Sequence, residues 1–262
     1  MLVLLPPSEG KAQPRRGRSL RLNELSSPTL NPTRERVLEA LIELCAGDPG
    51  FALKILDLPP SAIDLLERNA ELRDTATAPA SSIYTGVLYA AMDLPSLSGA
   101  DKRRANQRLV IASALFGLVR PADRIASYRL SGGASLPGVG KLSAFWRGPI
   151  EEAVRERLGK GLLVDMRSGA YVSLWPIPKD LARQAVTVKM WQEGPDGART
   201  AVSHFNKESK GELARFLVTQ ANAPRSAAQL EELCRDELCP DTGWTATLDT
   251  SPTIPRLDIV LP

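Results

Sequence analysis

The apolar positions of this chain fall into two kinds of run, one continuous and one spaced. Residues 2–5 are wholly apolar and stop at Pro6-Pro7, which predicts a short strand covered on both faces. Residues 109–116 form a longer near-continuous run, read as one central strand, and 162–166 form another. Helical spacing appears at Val37, Leu38, Leu41, Ile42 and Cys45, with Thr33 as the expected N-cap and Gly47-Asp48-Pro49-Gly50 as the stop. A helical pair is expected over 51–57 and 61–73, divided by Pro59-Pro60, and a turn leading into a short helix over 83–92. Ser143 is the expected cap of a helix reaching about 158. Alternation over 185–204, broken by Glu193-Gly194-Pro195-Asp196-Gly197, predicts a hairpin. Helices at about 208–221 and 226–234 follow, then strands at about 244–248 and 256–261.

Strands and helices therefore mix without a strict βαβ rhythm and without an internal repeat. The expected architecture is one α/β domain over 1–262, a mixed central sheet flanked by helices, with a small helical lobe around 51–73. Composition agrees, with 43% hydrophobic and 24% charged residues, ordinary for a globular chain. No apolar run approaches the roughly 20 residues that a membrane helix needs. The N-terminus also lacks the basic region and cleavage site of a signal peptide, so a cytoplasmic location is expected.

Candidate chemistry narrows by elimination. Cys45, Cys234 and Cys239 have no disulfide or zinc spacing, and His204 is the only histidine. No GxSxG or Walker A motif occurs, so neither metal nor cofactor is expected. The net charge of +3 hides an uneven distribution. Lys11, Arg15, Arg16, Arg18 and Arg21 lie together without an acid, Lys102, Arg103, Arg104 and Arg108 form a second group, and 231–241 is acidic.

Four segments carry small or charged residues at the expected ends of strands, where sites sit in α/β sheets. The first is Pro6-Pro7-Ser8-Glu9-Gly10-Lys11, whose Ser8 and Lys11 suit a phosphate, or form an ordinary surface turn. The second runs from Gly117 to Leu130 and offers the guanidinium forks of Arg120 and Arg129, with an Arg120–Asp123 pair as the bland reading. The third, Val164 to Tyr171, offers Ser168 and Tyr171, or a tight turn with a buried tyrosine. The fourth, Ser203 to Arg215, opens a helix with Lys207 and Lys210, cations that the helix dipole disfavours there unless an anion faces them.

The sequences at 5–11, 84–87, 114–123, 128–130, 145–146, 167–171 and 204–215 resemble, in order, the YaaA family of peroxide stress proteins. That resemblance implies an α/β fold with a positively charged cleft, a role in limiting peroxide damage, and binding of duplex DNA through that cleft and a helix-hairpin-helix element. By matching position it implies that Lys11, Arg120, Arg129, Ser168, Tyr171, Lys207 and Lys210 line the cleft. Ser8 and Tyr84 complete the candidate ligand-binding set. The chain departs from the family pattern at Gly169-Ala170, where an acidic pair is usual, and at Leu58-Pro59-Pro60-Ser61, where a hairpin glycine is wanted. Three functions follow as expectations. The first is a stress protein whose basic cleft binds double-stranded DNA or another anion. The second is a metal-independent lyase or hydrolase acting on a small anionic or nucleotide-like substrate, with Lys210, Lys207, Tyr171 and Ser168 catalytic. The third is a scaffold docking a partner through loop 11–21.

Overall fold

The computed structural model describes residues 1–194, 198–201 and 205–262, with the side chains of 201, 205 and 206 left aside. It is mixed α/β. The strands of the main sheet are β1 (Leu2–Leu5), β2 (Leu109–Ser113), β3 (Gly117–Val119), β4 (Leu163–Asp165), β5 (Ala185–Glu193), β6 (Arg199–Ala201), β7 (Thr245–Asp249) and β8 (Arg256–Leu261). They lie in the order β7-β8-β5-β4-β1-β2-β3, with β6 beside the far half of β5. The five strands from β8 to β2 run parallel, while β3, β6 and β7 are antiparallel additions. Every residue of β1, β2 and β4 is buried, which is why these segments read as continuous apolar runs rather than alternating ones.

Helices cover the sheet: α1 (Asn31–Ala46), α2 (Pro49–Leu56), α3 (Ile63–Ala70), α4 (Val87–Met92), α5 (Gly99–Arg108), α6 (Leu142–Leu158) and α7 (Phe205–Thr219). The lobe expected around 51–73 consists of α2 and α3 packed on α1. Helix α7 lies backbone to backbone against α4: a Cβ on Gly211 would stand 2.2 Å from the Leu88 carbonyl oxygen. No helix among the described residues is long and apolar enough to cross a membrane.

Three sequence expectations need correction. Helix α1 begins at Asn31, not after Thr33, with Pro32 in its first turn where its missing N–H costs nothing. Its Arg34 is fully buried and donates to the Phe116, Leu118 and Ser26 carbonyls at 2.9, 2.8 and 2.8 Å, which fills the outer edge of β3. Helix α6 likewise begins at Leu142, ahead of Ser143. The third correction matters most for the site. The run 109–116 is not one strand, because β2 ends at Ser113 and the chain turns over Ala114–Phe116. It then returns antiparallel as β3. Gly117 makes the return possible with φ +70°, and a Cβ there would meet the Trp146 ring at 2.6 Å. Of the expected hairpin at 185–204, the turn residues 195–197 and His204 lie outside the described residues.

Candidate functional site

The carboxyl ends of β1, β2 and β4 form one edge, and the segments that leave it carry most of the predicted residues. Leu4 pairs with Asp165 and Leu5 with Ile111, so Met166 comes beside Leu5 and Ala112 beside Pro6, where the chain leaves the sheet. The segment after β1 turns on Ser8, whose hydroxyl donates to the Gly10 carbonyl at 2.5 Å and accepts from the Thr85 amide at 2.9 Å. Ser8 is thus engaged within its own turn. Lys11 then pairs as an isolated bridge with Tyr84, and its ammonium donates to the Ser8 and Glu9 carbonyls at 2.8 and 3.3 Å.

Lys11 lies against two of the four tyrosines of the chain, Tyr84 and Tyr128, and the other two lie close to Tyr84. Its Nζ lies 4.5 Å from the Tyr128 ring centre and 5.7 Å from that of Tyr84. The Tyr84 and Tyr128 hydroxyls meet at 3.1 Å, and Tyr128 reaches the Ser113 hydroxyl at 2.7 Å. Tyr89 stacks on Tyr84 with ring centres 5.5 Å apart and donates to the Pro6 carbonyl at 2.7 Å. Burial pushes all four phenols up from their ordinary pKa, so they are neutral hydrogen-bonding groups at physiological pH. Tyr171 is the least buried, and it packs against Gly132. Lys11 itself is pushed down to about 8, chiefly by its own burial and then by Arg129, which Glu9 offsets only in part.

Arg129 is held by its backbone: Asn69 of α3, fully buried, accepts from the Arg129 amide at 2.9 Å and donates to its carbonyl at 2.8 Å. The helical lobe therefore positions this residue. Among the described residues its guanidinium has only a loose ion pair, 4.0 Å from an exposed Glu9.

On the other side of β1, Asp165 at the end of β4 is clamped by Arg167 through two bonds of 2.8 Å, both side chains buried. Arg167 also donates to the Tyr171 carbonyl at 3.1 Å and lies over the Trp175 ring. Lys210, in the first turns of α7, donates to the Met166 carbonyl at 3.3 Å. Burial lowers its pKa, with Asp165 pulling the other way. Lys207, one turn earlier, is exposed, as is Ser168 at the start of the short turn Gly169–Val172.

The structure therefore brings Ser8, Lys11, Tyr84, Arg129, Tyr171 and Lys210 to one edge, with Lys207 and Ser168 on its exposed rim. Arg120 is not among them. Because β3 runs antiparallel, with Val119 opposite Ile111 and Gly117 opposite Ser113, Arg120 emerges at the opposite edge of the sheet. Sequence reasoning passed over Tyr128, Tyr89, Ser113, Asp165, Arg167 and Asn69. The scarcity of tyrosine, four in 262 residues with three followed or preceded by candidate motifs, was the available signal for the first two. No cluster of metal-ligating side chains occurs among the described residues.

Comparison with known proteins adds a family. Residues 1–240 match the family described as peroxide stress protein YaaA. A UPF0246 protein of Streptomyces coelicolor is 47% identical over 236 residues, covering 90% of each chain. One from Corynebacterium efficiens is 40% identical over 239 residues, 90% of this chain and 92% of that one. One from Idiomarina loihiensis is 29% identical over 223 residues, 80% and 85% respectively.

Proposed function

This chain belongs to the YaaA family of peroxide stress proteins, and from that premise we propose that it serves peroxide resistance by binding a small organic anion at the Lys11–Lys210 edge. One observation carries the reading. Two half-buried ammonium groups, Lys11 and Lys210, face this edge with backbone carbonyls as their hydrogen-bond partners and, among the described residues, no ion pair to a carboxylate. Desolvated cations left in that condition favour an incoming anion, which supplies the missing countercharge. Arg129, loosely paired, adds a fork suited to carboxylate or phosphate, and Tyr171 adds a neutral phenol.

The same arrangement supplies the parts for catalysis on such a ligand. An amine whose pKa is about 8 is partly neutral near physiological pH, so Lys11 can accept a proton or attack a carbonyl carbon. Lys210 stays the electrostatic anchor and Tyr171 the proton donor. In this assignment Lys11 takes the role the sequence offers to Lys207, whose side chain is exposed.

A second reading, duplex DNA, has its own observation: Arg15, Arg16 and Lys207 are exposed on the segments flanking the same edge. Phosphate neutralisation by such residues makes binding fall steeply with salt. Titration of AMP and of a duplex oligonucleotide into the full chain, followed by fluorescence at two salt concentrations, separates the two. AMP binding that is lost in Lys11→Met and Lys210→Met supports the small-anion site. Failure of AMP, with steeply salt-dependent duplex binding that depends on Arg15, Arg16 and Lys207, overturns it in favour of DNA.

A further inference from the structure

The segment that leaves β3 at the opposite edge meets the basic loop near the N-terminus. Asp123 in that segment is committed: its carboxylate accepts from the Ser26 hydroxyl at 2.5 Å, the Ser26 amide at 3.1 Å and the Arg120 main-chain amide at 2.8 Å. It therefore pairs with the backbone of Arg120 and not with its guanidinium. The next residue, Arg124, is half-buried. Among the described residues its guanidinium has one partner, the Thr77 carbonyl, bound through Nη2, and Nη1 is left over.

Beside Arg124 lies a cavity of about 150 Å³ whose walls carry Arg18, Ser19, Arg21, Glu24, Thr77 and Arg124. None of the residues at the Lys11–Lys210 edge lines it. Glu24 is the one carboxylate on the wall. It takes both Nη groups of Arg18, at 3.2 and 2.5 Å, and stands 3.5 Å from Nη1 of Arg21. Three guanidinium groups against one carboxylate leave two positive charges uncompensated around one cavity. Their donors can be reached, because the Arg18 and Arg21 side chains are 50% and 62% exposed. Ion pairs so exposed contribute little, and an incoming anion competes with Glu24 for them on favourable terms.

The backbone behind these side chains is fixed. Thr77 holds the Arg18 carbonyl twice, through its amide at 3.0 Å and its hydroxyl at 2.9 Å. Gly17 lets the loop come this close: its φ is +155°, and a Cβ there would stand 2.5 Å from the Thr77 carbonyl oxygen. Arg124 is anchored by a short antiparallel ladder in which it pairs with Pro79, and Ile125 with Ala78. Part of the cost of gathering the three cations is thus met by the fold before any ligand arrives.

We infer that Arg18, Arg21 and Arg124 form a second anion site, separate from the Lys11–Lys210 edge, which takes a phosphate dianion, free or as the terminal group of a phosphomonoester. Charge selects that class, since a phosphomonoester carries about −1.5 to −2 at neutral pH and a diester only −1. Guanidinium forks suit its several equivalent oxygens, and the Ser19 hydroxyl adds a neutral donor. Size agrees as well. Pockets that enclose a whole small molecule run to about 300–1,000 Å³, so this one accommodates a group and leaves the rest of the ligand in solvent.

Calorimetric titration of inorganic phosphate, ribose 5-phosphate and dimethyl phosphate into the full chain tests this. The two dianions should bind, and dimethyl phosphate at least about tenfold more weakly. Tighter binding of ribose 5-phosphate assigns the site to the end of a larger molecule, and tighter binding of inorganic phosphate assigns it to the free ion. Arg21→Met should weaken phosphate about tenfold and, at so exposed a position, leave the melting temperature unchanged. Arg124→Met should weaken it similarly. Glu24→Gln, which keeps an acceptor for Arg18 and removes the opposing charge, should strengthen it. Binding should persist in the Lys11→Met/Lys210→Met chain, so failure here and failure of the small-anion reading are separate results. Phosphate affinity unchanged in Arg21→Met, or lost in Lys11→Met/Lys210→Met, overturns the proposal. So does equal binding of dimethyl phosphate, which would make this face a general surface for phosphodiesters.

Discussion

Two groups of cations, similar in sequence, are used in opposite ways. Arg104 and Arg108, from the basic group on α5, donate to the last carbonyls of α7: Arg104 to Val218 and Thr219 at 3.2 and 3.0 Å, Arg108 to Leu217 and Gln220 at 2.9 and 2.6 Å. These are orphan acceptors of a helix end, where positive charge is favoured, so the second basic group is a clasp between two helices. Lys11 and Lys210 are fewer and lie far apart in sequence: Lys11 donates to the Ser8 and Glu9 carbonyls of its own turn and lies against the Tyr128 ring, and Lys210 donates to the Met166 carbonyl from the opposite, positive end of α7. The difference teaches that a cation's partner, rather than its density along the chain, marks it as structural or functional.

Substitutions sharpen this contrast unequally. Arg108→Ala should cost about 2 kcal/mol of folding stability in urea denaturation, because it strands helix-end carbonyls and removes a favourable charge. A loss near zero would dissolve the contrast from one side. Lys11→Met should cost far less near pH 7 and is expected to be neutral or stabilising, since it removes a desolvated charge.

Its signature is instead in pH dependence. Lys11 has a folded pKa near 8, below the 10.5 of free lysine, so between these values the unfolded chain binds the extra proton. Stability of the parent relative to Lys11→Met should therefore rise as pH climbs from about 8 to about 10.5 and be flat below. Melting curves of both chains across that window check it, and parallel curves would place Lys11 in ordinary solvent.

Much of the fold could be read from the sequence because the central strands are buried on both faces and announce themselves as apolar runs. Positions of Lys11, Tyr171 and Lys210 at one edge followed from that reading. The failures have a common cause. The run 109–116 contains a turn in which Ala114, Leu115 and Phe116 are fully buried, so hydropathy carries no mark of the reversal. Gly117 was the only local signal, and missing it put Arg120 at the wrong edge. Arg34 and Asn69 were invisible for a related reason: each is a polar residue inside a helix whose partners lie in distant segments, Phe116 and Leu118 for one and Arg129 for the other.

The central claim, that Lys11 and Lys210 are desolvated cations awaiting an anion, is most directly tested by NMR titration of the lysine side chains with and without saturating AMP. Two lysines titrating below the 10.5 of free lysine, assigned to 11 and 210 by substitution, and shifting upward when AMP binds, is the predicted result. Titration of both at the free-lysine value, unmoved by AMP, would contradict the account.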